Sequence, residues 1–264
     1  MRYVRFSAVA GIIVLFASGC KDANMKTYPA DEFFSGSYLE AARAIDQDDL
    51  ASLRQRMQGK DVNKKGEREM SLLWWSIQSK KYAAVTEIVR LGAKPDDDGV
   101  HGPGTALQFA LELDAGVDTL RAILDGGLDP NIQLKDGTSL LQRAMTTSPS
   151  TLPKVQLLVE RGANVNLRDS IGGTALDDAI NIAEVDTATY LIGSGADVQA
   201  VKTNGDSARW GVDWHMSKLQ RGTEKFEKFD QLRQLMISKG AKFPAEPPAK
   251  MREWMKSQGM PVAE

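Results

Sequence analysis

Few side chains in this chain are suited to chemistry, and their spacing argues against most of what they might do. Its 264 residues include two histidines, His101 and His215, and one cysteine, Cys20. Neither histidine has a Cys, His or Glu at a metal-ligand interval, so no metal site is expected. The run Asp96-Asp97-Asp98 lacks the spacing and the distal Glu of a calcium loop and reads as a solvated loop tip. No Gly-x-Ser-x-Gly elbow, phosphate loop or dinucleotide fingerprint occurs. The residues therefore predict no catalytic set, no metal and no cofactor. What remains is one nucleophilic thiol at the end of an apolar stretch, and charged and aromatic side chains that recur at regular intervals.

The thiol has a distinctive context. Arg2 and Arg5 precede the apolar stretch Ala8–Phe16, which is too short to cross a bilayer as a helix but has the size of a signal-peptide core. It runs into Ala17-Ser18-Gly19-Cys20. Small residues leading directly into the sole cysteine resemble the lipobox of bacterial lipoproteins, with Ala17 where Leu is commonest. The alternatives are an ordinary signal peptide followed by a free thiol, or an uncleaved anchor. The resemblance implies cleavage after Gly19, a diacylglycerol on the Cys20 sulfur and a third acyl chain on the new amino terminus. Such an anchor is stable. Lys21, rather than Asp, follows Cys20. By the sorting rule of enteric lipoproteins this implies the periplasmic leaflet of the outer membrane. Cleavage would remove Arg2 and Arg5 and change the net charge from 33 − 35 = −2 to 31 − 35 = −4. Neither value suggests the clustered basic face that nucleic acid requires. Apolar content of 42% and charged content of 26% are those of a folded chain.

Beyond the leader, residues 21–34 show no sustained period, contain Pro29 and read as a tether. From there a phrase recurs: Gly59-Lys60-Asp61-Val62-Asn63, Gly92-Ala93-Lys94-Pro95-Asp96, Gly127-Leu128-Asp129-Pro130-Asn131, Gly162-Ala163-Asn164-Val165-Asn166, Gly195-Ala196-Asp197-Val198-Gln199, and a decayed copy from Gly240. The glycines are 33, 35, 35, 33 and 45 residues apart. A second marker keeps phase with them: Ser37, Ser71, Thr105, Thr138, Thr174 and Ser207 each open a helical segment as N-caps. A second helix follows each, with apolar residues at helical spacing (Val85, Ile88, Val89; Leu120, Ile123, Leu124; Val155, Leu158, Val159; Leu232, Leu235, Met236). The glycine of the phrase then ends it in the left-handed conformation. A period in the low thirties means a stacked array whose units lean on their neighbours.

Cap, short helix, longer helix, Gly-Ala-Asp-Val-Asn and an extended finger resemble the ankyrin repeat. The resemblance implies an all-α solenoid of about six helix-pair units over residues 35–243, with short hairpin-like fingers and a C-terminal cap and tail over 244–264. The family's Thr-Pro-Leu-His has lost its Pro and His in every unit, with Glu40, Trp74, Gln108, Leu141, Asp177 and Trp210 at the His position. The last unit is about twelve residues long for the period, with the excess between Trp210 and Phe229.

In such arrays partners dock on the fingers and the exposed side of the first helices. That surface would include Lys64, Lys65 and Arg68, then Asp97, Asp98 and His101, then Lys135 and Asp136, then Arg168 and Asp169, then Lys202. Trp74 and Trp75 point about 100° apart on one helix, so both should not be buried on one face. Trp75 is therefore a candidate exposed anchor, with packing between repeats as its alternative reading. Trp210 and Trp214 share a face and read as core. The expected function is protein binding without catalysis. Lipid-anchored ankyrin proteins of this size resemble immunity proteins that occlude secreted antibacterial effectors such as type VI lipases. A scaffold or chaperone for a resident envelope enzyme is the second reading, and an envelope enzyme in a degenerate array the third.

Overall fold

The computed structural model describes residues 28–97, 99–100, 104–112 and 116–263. The leader, Cys20, Asp98 and His101 lie outside them. The chain divides into two compact units, the first ending at Leu128 and the second beginning at Asp129. Each is an all-α stack of helix pairs.

The first unit holds α1 (Gly36–Asp46) with α2 (Leu50–Met57), α3 (Leu72–Gln78) with α4 (Tyr82–Arg90), and α5 (Ala106–Glu112) with α6 (Val117–Asp125). Its short strands β1 (Gly99–Val100) and β2 (Gly104–Thr105) pair antiparallel as a finger. The second unit holds α7 (Leu140–Arg143) with α8 (Thr151–Glu160), α9 (Ala175–Asn181) with α10 (Val185–Gly193), α11 (Ala208–Lys218) with α12 (Glu224–Ser238), and the terminal α13 (Pro248–Ser257). Within each unit first helices stack on first helices and second on second, as α1 on α3, α4 on α6, α9 on α11 and α10 on α12.

The helices start where the caps place them. Ser71, Ser139, Thr174 and Ser207 accept from the backbone N–H of Trp74, Gln142, Asp177 and Trp210. Two expected caps move: α1 is preceded by Ser35 rather than Ser37, and α7 by Ser139 rather than Thr138. At Thr105, Ser139 and Thr174 the residue three positions on returns a bond to the cap's own N–H, from Gln108, Gln142 and Asp177. These reciprocal capping boxes satisfy two orphan donors each and replace the lost Thr-Pro-Leu-His. Gly162 and Gly195 end α8 and α10 at φ +91° and +94°, with nothing within 4 Å of an added Cβ. Backbone conformation rather than crowding selects glycine there.

The apolar stripes of the second helices form much of the core: Val85, Ile88, Val89, Leu120, Ile123, Leu124, Val155, Leu158, Leu232 and Met236 are buried, whereas Val159 and Leu235, expected in the same stripes, are only half-buried. At the start of the first unit the expected tether is partly folded. Ala30–Glu32 form a 3-10 turn, Phe33 and Phe34 are buried, and the Phe33 carbonyl accepts from the Glu67 N–H at 2.8 Å. At the end of the second unit Arg252 donates to the Asn204 carbonyl at 2.8 Å and Ala263 to that of Thr203 at 2.9 Å, so α13 and the tail lie on the last finger.

Candidate functional site

The fingers are positioned by the last residue of each recurring phrase. Asn63 Nδ2 donates to the Gly92 carbonyl at 3.1 Å, and its Oδ1 accepts from the Lys94 N–H at 2.9 Å. Asn131 bridges to Gly162 and Asn164 in the same way, and Asn166 to Gly195 and Asp197. Gln199 reaches the Gly240 carbonyl at 2.6 Å. Each amide thus stitches one repeat to the next, using the carbonyl that the helix end leaves free. Asp96 occupies the same position in its phrase, and a carboxylate has no N–H to give Gly127.

The charged finger residues are less free than their types suggest. The Lys64 ammonium sits 5.2 Å over the Tyr38 ring, whose hydroxyl donates to the Asp61 carbonyl. Lys65 pairs with Glu69 at 3.4 Å. Arg68, itself at φ 55°, lies 3.9 Å from Glu32 and 5.6 Å from the Phe33 ring. Asp97 and Lys135 are exposed. Asp136 accepts from the Thr138 N–H and hydroxyl and pairs with Arg143. The Thr138 bonds above all hold its carboxyl below the usual range. Arg168 is exposed and reaches the Val201 carbonyl at 3.4 Å and Asp197 at 3.8 Å. Asp169 is a structural hub: it accepts from the N–H of Ile171 and Gly173 and from Gln142 Nε2.

Two expected surface residues prove to be interior. Trp75 is only 8% exposed, packed 5.8 Å from Phe33 and 5.9 Å from Phe34, with its indole N–H donating to Asp46 at 2.8 Å. Trp74, only 3% exposed, packs on Phe109 at 5.6 Å. A helix inside a stack has neighbours on both flanks, so side chains 100° apart can each find one. Trp75 is therefore not an anchor for a partner. Lys202 is likewise buried, its ammonium 3.3 Å from Asp206.

Lys202 belongs to a cluster that residue spacing did not announce. Asp177 and Asp178 stand side by side at the start of α9, with Asp169, Asp206 and Gln142 around them. Burial pushes Asp178 up to about 6 and Asp177 upward as well, with Lys202 opposing both shifts. Asp177 Oδ1 is buried without a hydrogen-bond partner, while its other oxygen serves the Thr174 cap. Among the described residues no group of three or more His, Cys, Asp or Glu is arranged to hold a metal ion.

Aromatic exposure lies elsewhere. Trp214, expected in the core with Trp210, is half exposed at 50%, and Trp254 on α13 is 52% exposed.

With this geometry in view, the comparisons with known proteins agree on the fold. A family model for ankyrin repeats matches residues 107–202 in three copies. The ankyrin repeat domain of Bcl-3 aligns with a TM-score of 0.56 at 20% identity, covering 82% of this chain and 97% of that one. An ankyrin repeat domain from Acinetobacter baumannii aligns at 0.54 and 19%, covering 76% and 98%. The fold is that of the ankyrin-repeat proteins, a class of interaction module. Among curated relatives, Protein PhlB of Serratia liquefaciens is 27% identical over 151 residues, covering 57% of this chain and 65% of that protein. Ankyrin repeat and SAM domain-containing protein 6 of Rattus norvegicus is 38% identical over 82 residues, covering 30% and 9%. The intracellular phospholipase A2 of Caenorhabditis elegans is 28% identical over 145 residues, covering 52% and 13%. The chain thus spans between 9% and 65% of the lengths of these relatives.

Proposed function

We propose that this chain is a lipid-anchored periplasmic binding protein that acts stoichiometrically, as an immunity or inhibitor protein occluding a secreted antibacterial effector such as a type VI lipase. The observation that carries the binding part is the contrast within each finger. Amide stitches at Asn63, Asn131 and Asn166 fix the backbone, while Lys64, Lys135 and Arg168 close to them remain exposed, as does Asp97 on the finger whose phrase ends in Asp96. Charges held on a rigid frame favour selection of one complementary protein and a salt-sensitive association rate. The anchoring part is supported by Ala17-Ser18-Gly19-Cys20 closing the apolar stretch behind Arg2 and Arg5. The immunity part is supported by the combination of such a leader with an ankyrin array.

Capture of the protein encoded by the neighbouring reading frame tests the binding reading. Lys64→Glu with Lys135→Glu, and Asp97→Lys with Arg168→Glu, should each weaken it. Unchanged capture by both would overturn the finger surface. Cells protected from that protein by a variant that no longer binds it would overturn the immunity reading. Protein that binds a resident envelope enzyme and confers no protection is a scaffold instead. For the anchor, Cys20→Ser should leave the membrane fraction and lose the acyl mass. Equal partitioning of the two forms, with no acyl mass on either, would refute it.

A further inference from the structure

The last helix pair is the longest among the described residues. Of the first helices, α3, α5 and α9 run 7 residues and α7 runs 4, while α11 runs 11, a length that α1 also has. The second helices α4, α6, α8 and α10 run 9 or 10 residues, but α12 runs 15. Four extra residues carry α11 about 6 Å beyond the length of α9, the first helix on which it stacks, roughly one turn. Insertions confined to one repeat commonly serve binding.

The tip this creates has a particular chemistry. Residues 214–223 contain no Asp or Glu but include His215, Lys218 and Arg221. Lys218 and Arg221 are exposed and enter no ion pair among the described residues. Trp214 stands edge-on to His215 at 4.9 Å, and His215 stacks on the buried ring of Phe229 at 4.8 Å. Burial lowers the proton affinity of His215 and so favours its uncharged form in this stack. Trp214 is therefore an exposed ring held from below, which gives up little freedom on docking. The other flank of the pair is self-neutralised, with Lys228 paired to Asp186 at 3.4 Å and to Glu224 at 3.9 Å.

We infer that the tip of the α11–α12 pair is a second docking surface, taking an acidic protein segment that seats Trp214 in an apolar recess and pairs carboxylates with Lys218 and Arg221. The inference rests on the protein-binding reading above but uses a surface other than the fingers. An anionic membrane fits less well. The cleft of about 500 Å³ beside the start of α12 mixes Glu184, Asp186 and Glu224 with Lys225 and Lys228, so this flank adds no net positive charge to attract lipid headgroups.

The test is selection of random peptides displayed on phage against the protein from residue 21 onward. Affinities of the selected peptides are then measured for wild type, Trp214→Ala, Lys218→Glu with Arg221→Glu, and the finger variant Lys64→Glu with Lys135→Glu. Because the side chains changed on the helical hairpin formed by α11 and α12 are exposed, thermal melts should confirm that all variants remain folded. The expected result is a class of acidic peptides with an apolar residue, losing roughly tenfold or more affinity for each hairpin variant and none for the finger variant. Peptides without net negative charge, no selected peptide sensitive to the hairpin, or adsorption to phosphatidylglycerol vesicles that both hairpin variants abolish would each overturn it. A natural partner captured equally by wild type and hairpin variants would also overturn it while leaving the protein-binding reading intact. Conversely, hairpin-dependent peptides together with failure of the neighbouring-gene capture would remove only the immunity reading.

Discussion

Replacing Asn166 with Asp tests whether the amide stitches hold the array together. Asn166 donates to the Gly195 carbonyl at 3.1 Å and accepts from the Asp197 N–H at 2.7 Å. A carboxylate keeps the second bond and loses the first. A lost bond of this kind costs about 0.5–1.5 kcal/mol. The substitution also places a negative charge at the carbonyl end of α10, which adds about 0.3–1 kcal/mol. The sum is about 1–2.5 kcal/mol, a fall of several degrees in Tm at roughly 2–4 °C per kcal/mol. Asp96→Asn is the mirror experiment, because it supplies the donor that the phrase ending at Asp96 lacks, and should stabilise by about 1 kcal/mol. Acid separates this account from a general packing defect. Below about pH 4 the introduced carboxyl gains a proton it can donate, so the defect should shrink there. Calorimetric melts between pH 3 and pH 8 read all three effects. Neutral melts for both substitutions, or an Asn166→Asp defect that does not shrink in acid, would refute the stitch as a source of stability.

Gly162→Val and Gly195→Val should each destabilise by at least about 1–2 kcal/mol, since both positions need positive φ, with hydrogen-exchange protection lost in the adjoining repeats as well. Trp75→Ala should cost about 3–5 kcal/mol in a chemical melt while leaving partner capture by the folded protein unchanged. Asp178, whose folded pKa is raised from 3.8 to about 6, binds more protons folded than unfolded across that window. Stability should therefore rise as pH falls from 7 toward 4, and Asp178→Asn should remove that slope and add up to about 3 kcal/mol at pH 7. Glu87, by contrast, is held below its usual range by bonds from Arg54 at 2.6 and 2.8 Å. Its contribution is present above the ordinary Glu pKa and fades as pH falls through the lowered one, so Glu87→Gln should lower Tm at pH 7 but much less in strong acid.

Much of the fold was legible because it depends on local rules that repeat. Caps, left-handed glycines and apolar stripes each obey a fixed offset, and two of these markers kept phase along the chain. The misplaced residues are those whose surroundings come from elsewhere. Trp75 looked exposed because one helix cannot bury both of its neighbouring indoles on one face, but in a stack Phe33 and Phe34 supply a second face. Lys202 looked like a finger tip because charges usually are. The Lys202 N–H pairs with the Asp206 carbonyl at 2.8 Å, and the side chain packs into the interior toward Asp177 and Asp178. Trp214 looked like core because its spacing from Trp210 fits a buried face, but α11 outruns the first helix stacked on it. A signal for that did exist in the 45-residue interval between Gly195 and Gly240, which marked the last pair as the place where periodic reasoning should fail.

The array departs from its repeating pattern in two different ways. In three units the loss of Thr-Pro-Leu-His is compensated on the spot, because Gln108, Gln142 and Asp177 rebuild the cap from the same turn of helix. Asp96, Asp178 and the overlong α11 are not compensated in this way: one lacks a donor, one is buried against its own charge, and one leaves a tryptophan half in water. Local rule-breaking without a compensating bond is where selection for something other than stability is expected. Of the three, the end of α11 and the turn after it alone present an ordered aromatic, with positive charges that enter no ion pair among the described residues, which is why they support a docking surface. Asp96 and Asp178 support only predictions about stability.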